Sequence, residues 1–267
     1  MLQKRNITVG ASVFVRNAIK YDYCILESIQ SVLDLDQVGV MDCQSDDGTT
    51  ALLELFCSQY PKIKFVKDAV WECASNYARL AILANQAKSY LSTDWHFMIQ
   101  ADEVLHELSI PQIRLAVAGA HSEHTFLIRR IHVWGDMDHQ LRHDLPTSRK
   151  PAGDAIIRLG RLGQQAHGDA EGLEAGTCNP HWIHNIVLFH YGFVRKNEVQ
   201  KAYDMQTWFH GPGATVDPKI VEMKNRDGVF RPEVYFDHSE LCRLTMNHPN
   251  CATQWVNERR LLFQPIP

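Results

Sequence analysis

Gln100, Asp102 and Glu103 place an amide and two carboxylates directly after the apolar run Phe97-Met98-Ile99. A buried strand that gives way abruptly to acids marks the rim of a sheet, where open α/β sheets bind ligands. Hard oxygen donors of this kind suit Mg²⁺ or Mn²⁺. Such a cation neutralises charge on a departing phosphate. The competing reading is a strand followed by a plain acidic turn. A second acidic loop, Asp42-Cys43-Gln44-Ser45-Asp46-Asp47-Gly48-Thr49, follows the apolar residues 38–41. A carboxylate there can accept hydrogen bonds from a base or a ribose. Ser45, Asp46, Asp47, Thr49 and Thr50 can equally cap the next helix, which leaves Asp42 as the ligand candidate.

Regular elements must bring these loops to one edge. Residues 7–15 alternate and are β-branched, predicting a first strand. Residues 23–35 carry Ile25, Leu26, Ile29, Val32 and Leu33 at helical spacing. Residues 38–41 predict a second strand. Residues 50–60 predict a second helix, through Leu52, Leu53, Leu55 and Phe56, closed by Pro61. A third strand at 63–66 and a third helix at 75–91 precede the strand at 97–99. This alternation predicts an α/β fold, doubly wound, with a mostly parallel sheet, helices on both faces and right-handed crossovers. Beyond residue 105 the pattern loosens. Helices are expected at 110–118, 196–209 and 255–262, strands at 125–133, 155–159 and 186–190, and loops at 136–153 and 160–180. Long loops inside a domain are commonly lids or binding elements. No internal repeat or low-complexity linker breaks the chain.

Length and composition narrow the classes. The 267 residues, 45 % of them hydrophobic, suffice for one large domain, read as a half at 1–105 and a second half with a C-terminal extension at 106–267. A net charge of −4 argues against non-specific nucleic-acid binding. No apolar run approaches the roughly 20 residues that span a bilayer, and the N-terminus passes straight into a strand without a secretory signal. The seven cysteines contain no C-x-x-C pair. Cys24, Cys43, Cys57 and Cys73 read as reduced thiols in or near the core, which fits a cytoplasmic location. The 14 histidines are scattered and read mostly as surface or turn residues.

The order of strand, D-x-x-S-x-D-G-T loop (Asp42 to Thr49), R-x-x-x-x-x-N-Q-A helix (Arg79 to Ala87) and a strand ending in Gln100-Ala101-Asp102-Glu103 resembles family-two glycosyltransferases of the GT-A fold. The resemblance covers residues 7–105. It implies nucleotide contacts at Ala11, Asp42 and Arg79. It implies a divalent metal, Mn²⁺ or Mg²⁺, on the diphosphate through Asp102, with Gln100 beside it and Glu103 toward the sugar or assisting the metal. Cys43 stands where the family has a second Asp in the base loop, and Gln100 stands where the acidic motif begins. Farther along, Ile156-Ile157-Arg158-Leu159-Gly160-Arg161 is similar to the strand after the acceptor region. His167-Gly168-Asp169-Ala170-Glu171 is the counterpart of the segment that follows it, so Asp169 and Glu171 are the catalytic-base candidates. Leu188-Phe189-His190-Tyr191-Gly192 resembles a downstream H-Y-G motif, making His190 a metal or phosphate ligand and placing Arg195 and Lys196 near the diphosphate. Trp134 and Asp136 fall next to the acceptor side, and Trp134, like Trp182, Trp208 and Trp255, is open between core and site.

The resemblance implies transfer of a sugar from a nucleoside diphosphate sugar, UDP by default, to an acceptor. Saccharide, lipid-linked sugar, protein and modified nucleic acid are all open as acceptors. Two alternatives stand beside it. A nucleotidyltransferase would carry a Gly-rich, basic phosphate loop after the first strand, which Ala11-Ser12-Val13-Phe14-Val15-Arg16 lacks. A non-catalytic nucleotide- or sugar-binding module is the other.

Overall fold

Side-chain alternation in the first strand decides how the sheet is covered. In the computed structural model, β1 (Val9–Val15) turns Val9, Ala11, Val13 and Val15 to one face. There they pack with Ile25 and Ile29 of α1 (Ile25–Ser31) and Leu53 and Cys57 of α2 (Thr49–Cys57). Each such buried aliphatic side chain contributes about 1.5–3 kcal/mol. Phe14, from the alternate positions, faces the other side with Met41 of β2 (Gln37–Asp42) and Leu83 of α3 (Ala78–Ser89). Helices therefore cover both faces. The structure describes residues 6–67, 69, 71–72, 78–121, 124–142, 155–176, 179–210, 215–231 and 238–262.

β1 pairs in parallel with β2 on one side and with β4 (Trp95–Met98) on the other, and β2 pairs in parallel with β3 (Ile63–Val66). The carboxyl ends of these strands therefore share one edge. The expected α/β architecture is met. The second half extends the same sheet, largely through antiparallel pairs. α4 (Ser109–Ala118) follows β5 (Glu103–Leu105); β6 (Phe126–Trp134), β7 (His139–Leu141) and β8 (Ala155–Arg161) come next. β8 inserts between β4 and β6, antiparallel to both. β11 (His181–Phe193) runs parallel to β6 and antiparallel to β5.

The expected loop at 160–180 contains a small hairpin, β9 (Ala166–His167) with β10 (Gly172–Leu173). Two-residue strands leave no periodicity to read. β11 is much longer than the apolar run at 186–190, because its first residues are polar and half-exposed. α5 (Glu198–His210) leads to α6 (Pro218–Arg226), which the sequence reading missed. Asp217 caps α6 by accepting from the Lys219 amide at 2.9 Å, with Pro218 at its first position. Val199, Ile220 and Met223 give α5 and α6 a core of their own. β12 (Leu241–Arg243) pairs with β7, and α7 (Thr253–Arg260) packs Trp255 and Val256 beneath Tyr191. Among the described residues, no helix is long and apolar enough to cross a membrane. Cys24, Cys43 and Cys57 are buried as expected; Cys73 lies outside the described residues.

Candidate functional site

A cleft of about 660 Å³ opens at the carboxyl edge of the parallel strands. Its walls come from the end of β1 (Phe14, Arg16, Asn17), the loop after β2 (Asp46) and the segment after β3 (Trp71, Glu72). Gln100 to Asp102 follow β4 and form part of it, as do His190, Asp169 and one side of α5. Asn17 shapes the entrance. It adopts a left-handed backbone (φ 57°), tolerable for Asn because its short side chain bonds locally. Its Oδ1 accepts from the Asp46 amide at 2.9 Å, and its own amide donates to Ser45 Oγ at 2.8 Å. The loops after β1 and β2 are thus knitted together.

Asp102 and His190 meet on the cleft floor. β5 pairs with β11 so that His190 lies opposite Glu103, and the Tyr191 amide donates to the Asp102 carbonyl at 2.8 Å. His190 Nε2 stands 3.7 Å from Asp102 Oδ2. Its Nδ1 is 2.8 Å from His132 Nδ1, so one ring donates and the other accepts, which fixes the orientation of the His190 ring. Arg195 lies behind Asp102, fully buried, with Nη1 3.3 Å from Oδ2. Burial pulls its pKa down, but Glu198 and Asp102 outweigh that and raise it. Its Nε and Nη2 bond Glu198 and the Gly192 carbonyl. Arg195 therefore braces Asp102 rather than lining the cleft.

Gln100 also lines the cleft, but its side-chain amide donates to the Ala170 carbonyl at 3.1 Å. Asp169 is exposed at the cleft wall, whereas Glu171 is ion-paired to Arg130 at 2.8 Å. Of the two base candidates, only Asp169 faces the cleft.

Several expected ligands are placed elsewhere. Ala11 is fully buried in mid-β1 between Val38 and Phe97; the strand reaches the cleft only at Phe14. Asp42 is fully buried, accepting from the Thr50 hydroxyl at 2.6 Å and bonding Ser45 Oγ. It organises its loop, and Asp46 is the loop carboxylate that lines the cleft. Arg79 is covered by the Trp208 ring, 3.7 Å from its guanidinium carbon, and its Nη2 is 3.5 Å from Glu72. Glu103 is fully buried. Its Oε1 lies 2.6 Å from Arg158 Nη2 and 3.3 Å from Arg130 Nη1, and its Oε2 accepts from the Gln100 amide at 2.9 Å. It joins buried charges and does not point toward a sugar. Lys196 is exposed and meets Asp22 through its backbone amide at 2.9 Å. Trp134 and Trp255 are core residues, and Asp136 is buried against His139.

The cations that do line the cleft are Arg16, Lys20 and Lys201, beside the aromatic rings of Tyr21, Trp71, Tyr203 and Trp208. Trp71 and Trp208 stack with centroids 4.6 Å apart. These residues lie in loops and on a partly polar helix, where no pattern in the sequence marks them. Among the described residues, no group of three or more His, Cys, Asp or Glu side chains is arranged to hold a metal. Asp102 with His190 supplies two donors of suitable chemistry, carboxylate oxygen and imidazole nitrogen.

No family model matches the chain, and no curated protein does. Solved structures do. S. aureus TarS 1–349 in complex with UDP matches at TM-score 0.42 and 18 % identity, over 58 % of this chain and 47 % of that one, so this chain spans about half the length of that relative. The same protein in complex with UDP-GlcNAc gives TM-score 0.47 at 12 % identity, over 87 % of this chain and 74 % of that one. Glucosyl-3-phosphoglycerate synthase from Mycobacterium tuberculosis, in complex with Mn²⁺ and UDP-glucose, gives 0.45 at 16 %, over 76 % and 77 %.

Proposed function

We propose that this chain is a glycosyltransferase that moves a sugar from a UDP-sugar to an acceptor hydroxyl with inversion, aided by a divalent cation. The observation that carries the reading is the convergence of Asp102, His190 and Asp169 on one cleft at the carboxyl edge of a parallel sheet. The motif resemblance over residues 7–105 adds to it. The half at 1–105 serves mainly the donor, joined there by His190 and Lys201, and the half at 106–267 serves the acceptor. The buried thiols go with a reducing, cytoplasmic setting.

Asp102 and His190 would hold Mn²⁺ or Mg²⁺, with His132 fixing the His190 ring as an outer partner. The cation, when bound, offsets the negative charge of the diphosphate. Arg195 keeps the Asp102 carboxylate in place from behind. Arg16, Lys20 and Lys201 add positive charge along the cleft, and Trp71, buried against Trp208, supports Arg16 over its ring. Asp169 takes the proton from the acceptor hydroxyl as its oxygen bonds to the anomeric carbon. The bond from that carbon to the diphosphate oxygen breaks, and its electron pair leaves with UDP.

Thermal unfolding with UDP, UDP-glucose and UDP-GlcNAc, each with and without Mn²⁺, tests the reading. A ligand that binds only the folded state at 100 times its Kd adds about 2.7 kcal/mol of stability. Stabilisation by at least one of these that grows with Mn²⁺ and disappears in Asp102→Asn is the expected result. No response to any of them ends the proposal. Release of UDP from the donor separates an enzyme from a non-catalytic binding module.

A further inference from the structure

Gln100 stands where the acidic pattern would begin, yet it spends its side chain on a segment some 70 residues away, donating to the Ala170 carbonyl at 3.1 Å. The same carbonyl accepts from Arg158 Nη1 at 3.0 Å. Ala170 is buried and takes a left-handed backbone, φ 62°. A non-glycine residue holds that conformation only where its surroundings fix it. The fixing comes from both sides of the hairpin. On one side, Asn85 of α3 makes paired bonds to Ala166, Nδ2 to its carbonyl at 3.1 Å and Oδ1 from its amide at 2.8 Å, and Lys88 reaches the Gln164 carbonyl. On the other, Arg130 ties Glu171 at 2.8 Å. The Ala170 methyl packs with Ala81, Ala84 and Met98. Between these anchors, Asp169 is left exposed in the cleft, its Oδ1 accepting the local Glu171 amide at 3.1 Å.

We propose that Gln100 is a positioning residue: through the Ala170 carbonyl it holds the hairpin tip so that Asp169 faces the attacking hydroxyl, and it does not ligate the metal. An amide suits this task because it donates a proton, which an ionised carboxylate cannot do. A Glu or Asp at position 100 would set a negative charge against the Ala170 carbonyl dipole. Arg130 completes the arrangement by withholding Glu171, so one carboxylate rather than two is presented. The inference rests on the glycosyltransferase reading for its chemical half and on contacts within the chain for its structural half, and the two are measured separately.

The variants are Gln100→Glu and Gln100→Ala, with Asp169→Asn as reference. Hydrogen exchange in metal-free protein reads the structural half. The amides of residues 166–173 should exchange at least tenfold faster in both Gln100 variants, while those of β1 and β4 hold their wild-type rates. Turnover, read as UDP released from UDP-glucose with Mn²⁺ and water as the acceptor, should fall at least tenfold in both, in step with Asp169→Asn. The Kd for UDP with Mn²⁺ should stay within twofold. Wild-type exchange in residues 166–173, or wild-type turnover in Gln100→Glu with tighter Mn²⁺ binding, overturns the proposal and returns Gln100 to the metal. A wild-type rate in Asp169→Asn removes the base and this proposal together. A wild-type protein that binds no UDP sinks the glycosyltransferase reading, while the exchange data still decide whether Gln100 holds the hairpin.

Discussion

Glu103→Gln should unfold this protein more readily than any substitution in the cleft. The carboxylate is fully buried and accepts from two guanidinium groups and one backbone amide, at 2.6, 3.3 and 2.9 Å. Arg158 is itself fully buried and Arg130 nearly so. The amide replacement keeps volume and shape but removes the anion and turns an N–H₂ group toward donors. Arg158 keeps the Ala170 carbonyl and Arg130 keeps Glu171, but both lose the buried anion between them. Breaking a buried pair by removing one partner costs about 3–5 kcal/mol, because the remaining charge stays buried. At about 2 °C per kcal/mol for a chain of this size, the melting temperature should fall by roughly 6–10 °C. Thermal and urea denaturation followed by circular dichroism measure the two, with Asp102→Asn as the control at a neighbouring, more accessible carboxylate. If Glu103 pointed to the sugar instead, Glu103→Gln would fold like wild type and lose turnover. A loss of less than 1 kcal/mol in stability would refute the buried-hub reasoning.

Asp102→Asn should abolish UDP release from UDP-glucose with the fold intact; retention of most of the activity, or loss of the native circular dichroism spectrum, contradicts this. Arg16→Ala should weaken UDP binding about tenfold by calorimetry, the loss of about 1.4 kcal/mol that one cationic contact to a phosphate can carry, and unchanged affinity takes the diphosphate away from Arg16. His96 is fully buried with Nε2 2.8 Å from Ser12 Oγ, and burial, helped by Lys88 and Arg158, lowers its pKa to about 3. The unfolded chain binds that proton near pH 6.5 and the folded one only near 3, so stability is lost as pH falls between those values. At pH 5 the loss is about 2 kcal/mol, and His96→Asn should flatten the change in urea midpoint between pH 7 and 5; equal shifts in both proteins would exclude His96 as its source.

The parallel half was legible because β1, β2 and β4 are buried almost throughout and each helix carries an apolar stripe. The strand at 63–66 matches residue for residue, and the others shift by a residue or two at their ends. What escaped was set by contacts distant in sequence. Leu and Ile periodicity cannot show that α6 shares a core with α5, because that core rests on few large side chains. Ala11, Asp42 and Lys196 were selected by position in a motif, and position does not report which way a side chain leaves the backbone. Lys20 and Lys201 entered the cleft from a loop and a helix with no acidic or glycine-rich signature to betray them.

Arg130, Arg158 and Glu103 show why the second half of the chain had to join the same sheet. Glu103 opens β5, directly after the parallel strands in sequence, and both guanidinium groups that receive its buried carboxylate come from β6 and β8. β8 reaches them because it pairs antiparallel with β4, setting Leu159 opposite Phe97. The same strand carries Arg158 to the Ala170 carbonyl. Burying a carboxylate alone would be prohibitive, and burying a guanidinium alone equally so. Residues 1–105 therefore supply the buried carboxylate and residues 106–267 the two guanidinium groups that receive it.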